Sequence, residues 1–211
     1  MGLSNPTGKS ITYLRVNNGK FVKRLKQQET GCISRTLEDG KVIYEMAYQS
    51  LDDIFLKDAK VVENDKYNTI DWCITFEDSD GTYQVTLPYN SGMTTDLLLR
   101  LRNTDLGNAF TLKVYKFVDD KSGKDKTRIV IYQNGEKITA DWTDVPAGKE
   151  IKKGRKVEYD TSDRSAFIED VVLNSLVPFV KGKPVVFAPL PEKQEVEQDD
   201  AGPDDDSDLP F

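Results

Sequence analysis

The side chains of this sequence best suited to chemistry are aromatics that alternate with lysine and arginine along short runs. Asn18-Gly19 is flanked by Ile11–Val16 and Lys20–Leu25. Pairing outward from that turn sets Val16 opposite Phe21 and Leu14 opposite Lys23 on one face, and leaves Tyr13, Arg15, Arg24 and Lys26 on the other with Ile11 and Val22. In Ala109–Val118 the same alternation sends Phe110, Leu112 and Val114 inward and Lys113, Tyr115 and Phe117 outward. Around Asn134-Gly135 it sends Ile129, Ile131 and Ile138 inward and Arg128, Tyr132 and Lys137 outward. Exposed rings can stack on unpaired bases while interleaved cations neutralise phosphates, the combination that holds single-stranded nucleic acid. The loop Lys121-Ser122-Gly123-Lys124-Asp125-Lys126 adds lysines beside that face. The plain alternative is that amphipathic Tyr and Lys simply cover sheet edges.

Other chemistry is narrowed by composition. The 211 residues include no histidine and two cysteines, Cys32 and Cys73, so a usual four-ligand zinc site, a Ser-His-Asp triad and a Cys-His pair are all excluded. Both cysteines lie in apolar runs and read as buried thiols acting as small hydrophobes. Gly8-Lys9-Ser10 suggests a phosphate-binding loop, but the spacing from Gly2 departs from the required four residues between the glycines. Asp52-Asp53 and Asp119-Asp120 read as solvated turn acids; carboxylates gathered from distant parts of the chain could hold magnesium in a nuclease, a minor alternative. The expectation is a protein without catalytic residues, metal or cofactor.

The elements that must position these residues are punctuated by turns. Asn18-Gly19, Asp39-Gly40, Asp80-Gly81 and Asn134-Gly135 tolerate the positive φ angles of tight hairpins and imply a mainly β chain. Strands are expected near Ile11–Val16, Lys20–Leu25, Ile33–Leu37, Val42–Gln49, Asp71–Phe76, Thr82–Leu87, Ala109–Val118 and Thr127–Gln133. Trp72, Ile74 and Phe76 share one core-facing side, as do Tyr83, Val85 and Leu87. A helix is expected over Thr95–Asn103, capped by Thr94, with Leu97, Leu98 and Leu101 on one stripe. A second, Arg164–Val177, follows a Ser162-Asp163 cap and stops at Pro178, its face formed by Phe167, Ile168, Val171, Val172 and Leu176.

With 37% hydrophobic and 31% charged residues the chain has the make-up of a soluble globular protein with one ordinary core. No run approaches the roughly 18 apolar residues of a membrane helix, and Met1 to Ser10 lacks the apolar core of a signal peptide, so a cytoplasmic protein is expected. The net charge of −7 is not spread evenly. From Glu192 onward nine acids face the single base Lys193, giving −8, whereas residues 1–191 carry 28 bases and 27 acids, net +1. Any surface for a polyanion must then be a local patch. This division sets an ordered domain, residues 1–189, against an acid-rich segment, 190–211, which is expected to be disordered.

That segment ends in Asp208-Leu209-Pro210-Phe211. An acidic run closing on Asp-Leu-Pro-Phe resembles the C-terminus of single-stranded DNA-binding proteins, whose tails end in Asp-Ile-Pro-Phe or in acids and a terminal phenylalanine. The likeness covers about the last dozen residues, and the absence of a long Gly/Gln-rich linker places it nearer the phage type than the common bacterial one. It implies an OB-fold-like barrel of short antiparallel strands with hairpin extensions and two capping helices. It further implies a non-enzymatic protein that coats single-stranded DNA in the cytoplasm during replication, recombination or repair, with little sequence preference. The tail would recruit a polymerase, helicase or nuclease: Phe211 enters an apolar pocket with Pro210 and Leu209, Asp208 and the terminal carboxylate meet basic residues, and Asp204, Asp205 and Asp206 steer. Relatives range from monomers to dimers, so a homodimer stays open. The reading from another class is a protein-interaction adaptor, a β-domain with an acidic tail and no nucleic-acid role.

Overall fold

Tight turns decide the first local pairings. The computed structural model describes residues 11–120, 122–153 and 156–182. Asn18 and Gly19 have φ of 50° and 74°, and Asn134 and Gly135 have 55° and 82°, the left-handed pairs that make a two-residue turn match strand twist. The first joins β1 (Ile11–Asn17) to β2 (Lys20–Leu25) with Val16 opposite Phe21, and the second joins β9 (Asp125–Gln133) to β10 (Glu136–Ile138). Asp39-Gly40 lies between β3 (Ile33–Thr36) and β4 (Val42–Tyr48), and Asp80-Gly81 between β6 (Thr69–Glu77) and β7 (Thr82–Pro88). All four turn signals therefore mark hairpins.

The protein is mainly β, 50% strand against 19% helix. Ten strands form one sheet in the order β10-β9-β8-β5-β6-β7-β1-β2-β4-β3, where β8 is Phe110–Val118. Neither β11 (Lys149–Lys153) nor β12 (Lys156–Asp160) was legible in the sequence, nor was the longest strand, β5 (Ser50–Asn64), fifteen residues long. Its register shifts between Leu51 and Ile54 and again between Leu56 and Asp58, so its buried residues Leu51, Ile54, Phe55, Leu56 and Ala59 break period two and mimic helical spacing. Only Gln49 separates β4 from β5, and its amide donates to the Val114 carbonyl while its own carbonyl accepts from the Val114 N–H at 3.1 Å. The segment 42–64 thus gives its first part to β2 and its second to β6 and β8. The ladders β5–β6, β6–β7, β7–β1, β1–β2 and β2–β4 make a circuit that returns to its starting segment, with β1–β7 the parallel pair. No hydrogen-bonded ladder among the described residues joins β10 to β3, and a closed barrel is not defined.

The alternation read from the sequence decides what fills this circuit. Trp72, Ile74, Phe76, Val85 and Leu87 are at most 1% exposed, and Leu14, Phe21, Phe110, Leu112, Val114, Ile129 and Ile131 join them. Phe76 meets Phe110 edge to face at 6.1 Å between centroids, so β8 contributes to the same core as β6.

Helix α1 (Gly92–Asn103) begins three residues before the expected start. Ser91, not Thr94, is the cap: its Oγ accepts from the Thr94 N–H at 3.1 Å, and Thr94 is fully buried with its hydroxyl donating to the Pro88 carbonyl. The second helix is also longer than expected. α2 (Ser162–Val171) leads through a π-helical turn (Val172–Leu176) into α3 (Val177–Lys181), carrying Pro178 inside the helical run instead of ending before it. Proline removes one i→i−4 donor, and a π turn just before it is a place where the ladder can widen. Thr161 is its N-cap position without a side-chain bond, correcting the Ser162-Asp163 cap. This run lays Ile168, Val172, Val177 and Val180 on the core, and Tyr89, stacked on Trp72 at 6.1 Å, donates its hydroxyl to Glu169 at 2.5 Å. A separate hairpin of β11 (Lys149–Lys153) and β12 (Lys156–Asp160) precedes it. Both cysteines are free thiols; Cys73 is buried, but Cys32 is only half-buried, in a turn where its N–H bonds the Glu29 carbonyl. No helix among the described residues is long and apolar enough to cross a membrane.

Candidate nucleic-acid interface

Strand β8 pairs with β9 so that Lys113, Tyr115 and Phe117 stand opposite Val130, Arg128 and Lys126, with Thr111 opposite Tyr132. Because these positions alternate with the core residues Leu112, Val114, Ile129 and Ile131, they occupy the other side of the sheet. Lys137, paired with Tyr132, joins them. The side chains there are tied to one another. The Lys113 ammonium lies 5.3 Å from the centre of the Tyr132 ring, the hydroxyls of Tyr132 and Tyr115 are 3.2 Å apart, and the Arg128 guanidinium lies 5.4 Å from the Phe117 ring. Partial burial, helped by the Tyr132 hydroxyl, holds the Tyr115 phenol well above its usual range. This is a preorganised row of three rings with cations set against two of them.

The cations of this row differ in how free they are. Arg128 Nε lies 4.0 Å from Asp96 of α1, which also makes a two-pronged, buried pair with Arg100, at 2.9 and 3.2 Å. Arg100 in turn donates to the Ile138 carbonyl, binding α1 to β10. Asp96 and Arg100 were not singled out in the sequence, although their i,i+4 spacing on a helix is the signal that pairs them. Lys126 lies 3.0 Å from Asp119, whose carboxyl is held below its usual range, first by the Ser122 hydroxyl and then by Lys126. Lys113 has no carboxylate within ion-pair distance among the described residues.

The other expected group lies on β1 and β2. Tyr13, 61% exposed, and Arg15 stand on the side away from Leu14, and Arg24 and Lys26 stand on the side away from Phe21; all four are exposed. The structure therefore puts every one of the ten expected residues on the solvent side of the sheet, but in two clusters rather than one. In the hydrogen-bonded order β5, β6 and β7 intervene. The Asn18-Gly19 turn rests on β8 at Lys116, which shares the side of Val114 and not that of Tyr115 and Phe117: a Cβ on Gly19 would sit 2.6 Å from the Lys116 Cβ.

A cleft of about 1240 Å³ opens beside the β8–β9 cluster, lined by Lys23, Tyr48, Tyr83, Lys113 and Tyr132 and by four acids, with none of Tyr13, Arg15, Arg24 and Lys26 on its wall. Asp52 and Asp53, read as isolated turn acids, here share a cleft with Asp78 and Asp80. Asp78 is occupied by the Asp80 and Gly81 N–H groups and by the Tyr83 hydroxyl at 2.9 Å, and burial together with that bond raises the Tyr83 phenol to about 12. No group of three or more acidic or sulfur ligands among the described residues is disposed to hold a metal ion. Gly8-Lys9-Ser10, Lys121 and the tail residues Asp204, Asp205, Asp206, Asp208, Leu209, Pro210 and Phe211 lie outside the described residues. No family model, curated protein or solved structure matches this chain.

Proposed function

We propose that this protein binds single-stranded DNA through the outward side of its sheet, with little sequence preference, and recruits replication, recombination or repair enzymes through its acidic tail. The observation that carries the reading is the row of Phe117, Tyr115 and Tyr132 with Arg128 and Lys113, half-buried rings and cations locked together on the strand face turned away from the core. Every base has a π-face, so stacking is tolerant of sequence. The five-ladder circuit through β1, β2, β4/β5, β6 and β7 supports an OB-type barrel, a five-stranded and partly open scaffold that recurs in oligonucleotide binding. The acid-rich residues before Asp208-Leu209-Pro210-Phe211 supply the recruiting end, as in the single-stranded DNA-binding proteins they resemble. A phage-encoded protein acting on DNA in a host cytoplasm fits these features.

The test is fluorescence anisotropy of labelled oligo-dT titrated with the full chain at low and moderate salt, with duplex of equal length as control. Tight, salt-sensitive binding to the single strand alone is expected. An adaptor without nucleic-acid function is the second reading, and the acid-lined cleft is the observation that favours it, since a basic peptide would suit it better than a phosphodiester. Absence of binding at low salt, for the full chain and for a chain lacking residues 199–211 alike, would leave the adaptor.

A further inference from the structure

We infer that the two clusters divide the work: bases stack on β8–β9, while the backbone phosphates are gripped on a basic face formed by β1, β2, β4 and β3. The inference rests on the single-stranded DNA reading and assigns it a phosphate track. Register brings the residues together. Arg24 stands opposite Glu45, and Arg35 stands opposite Ile43. Alternation carried one residue past β2 and one before β4 puts Lys26 and Lys41 on that same side of the sheet. Arg15, opposite Val22, extends the face onto β1. Five cations thus share it with one strand carboxylate, Glu45, and that one is engaged by Arg35 at 3.3 Å. Nearby Asp39 is turned to the backbone N–H of Lys41 at 3.0 Å, which closes the β3–β4 turn.

Arg24, Lys26 and Lys41 converge on a notch of about 400 Å³ at the end of the β2–β4 ladder, bordered by Val42 and Tyr44 and by no acidic residue. None of the three has an ion-pair partner among the described residues. Like charges brought around one concavity without a counter-ion repel unless an anion joins them. A phosphodiester matches such a group, with the arginine fork able to take two oxygens. The alternative track is electrostatically poorer: Arg128 has Asp96, Lys126 has Asp119, and Lys113 opens onto a cleft with Asp52, Asp53, Asp78 and Asp80. Lys41 and Tyr44 entered neither strand-face reading of the sequence, because only the non-local β2–β4 ladder brings them to Arg24 and Lys26.

The experiment measures oligo-dT anisotropy against salt for the full chain and three variants. Arg24→Gln with Lys26→Gln and Lys41→Gln should weaken binding and make the log–log salt slope shallower by about 2, near 0.7 for each phosphate no longer neutralised. Lys113→Gln with Arg128→Gln should flatten the slope by less than about 0.7, the share of a single phosphate. Tyr132→Ala should lower affinity at every salt concentration with the slope unchanged. Circular dichroism and thermal melts of each variant separate weaker binding from a failure to fold, and Lys41→Gln alone, at an exposed turn, should still flatten the slope by about 0.7. A wild-type chain that does not bind oligo-dT overturns the DNA reading itself. A chain that binds, but whose slope is flattened by the Lys113/Arg128 pair and not by the β2–β4 triple, overturns this division alone.

Discussion

Tyr132 is where ring, cation and hydroxyl meet, with Lys113 against its face and Tyr115 at its edge. Tyr132→Ala is expected to weaken single-strand binding by about 1–3 kcal/mol, roughly 5- to 150-fold, while Tyr115→Phe, which keeps the ring, should bind nearly as the parent does. Parallel titrations of the two variants check this. Asp96 is the residue whose loss should be felt in stability. It neutralises buried Arg100 and borders Arg128, so Asp96→Asn leaves a buried guanidinium poorly compensated and should cost about 3–5 kcal/mol in urea unfolding. Tyr89 offers a pH test. Burial and its bond to Glu169 raise its phenol from 10.0 to about 12. Folding therefore favours the neutral form, and the stability it contributes is intact below pH 10 and lost as pH rises towards 12. Urea unfolding across about pH 9 to 12 should show a steeper alkaline decline for the parent than for Tyr89→Phe.

Among the elements, the β1–β2 hairpin holds its position by having nothing at Gly19. The residue has φ of 74° and its missing Cβ would lie 2.6 Å from the Lys116 Cβ, so Gly19→Ala meets both a strained backbone and a clash. A loss of about 1–3 kcal/mol is expected in chemical denaturation, and Gly40→Ala, with a similar φ but open space around it, should cost less. Whereas the β11–β12 hairpin was not read, the four hairpins signalled by Asn-Gly or Asp-Gly were legible because their determinants are local: a turn pair and a few alternating residues. β5 was not, because its two register shifts scramble the alternation that identifies a strand, and the acids Asp52, Asp53 and Asp58 interrupt its apolar run. Pro178 misled for a related reason. Its cost to a helix is local, but the packing of Val177 and Val180 on the core, beside a π turn, outweighs it.

For the whole molecule the charge division matters most. A body of net +1 gathers cations on the β1–β2–β4–β3 face and acids around the large cleft, while the last twenty residues carry −8. On the proposed reading, a segment of that charge would compete with DNA for a local basic face. Removal of residues 199–211 is expected to tighten oligo-dT binding at low salt and to abolish capture of a partner enzyme that reads Phe211. Unchanged affinity on truncation would remove the competition, and anisotropy beside a pull-down separates the two effects.

By itself the sequence determined what depends on near neighbours in the chain: a mainly β protein, four hairpin turns, the inward and outward sides of β1, β2, β8 and β9, and an acid-rich end whose chemistry is that of its own residues. Turn conformation and period-two alternation are short-range constraints, and a sequence states them directly. Only the tertiary structure decided which outward residues belong together. That ten aromatic and cationic side chains fall into two clusters, that Lys41 meets Arg24 and Lys26, and that Asp52 and Asp53 share a cleft with Asp78 and Asp80 all follow from ladders between distant segments and from the bend at Gln49. Those ladders are fixed by burying Trp72, Phe21 and Phe76 in a common core, a cooperative property of the whole chain that no single stretch of residues encodes.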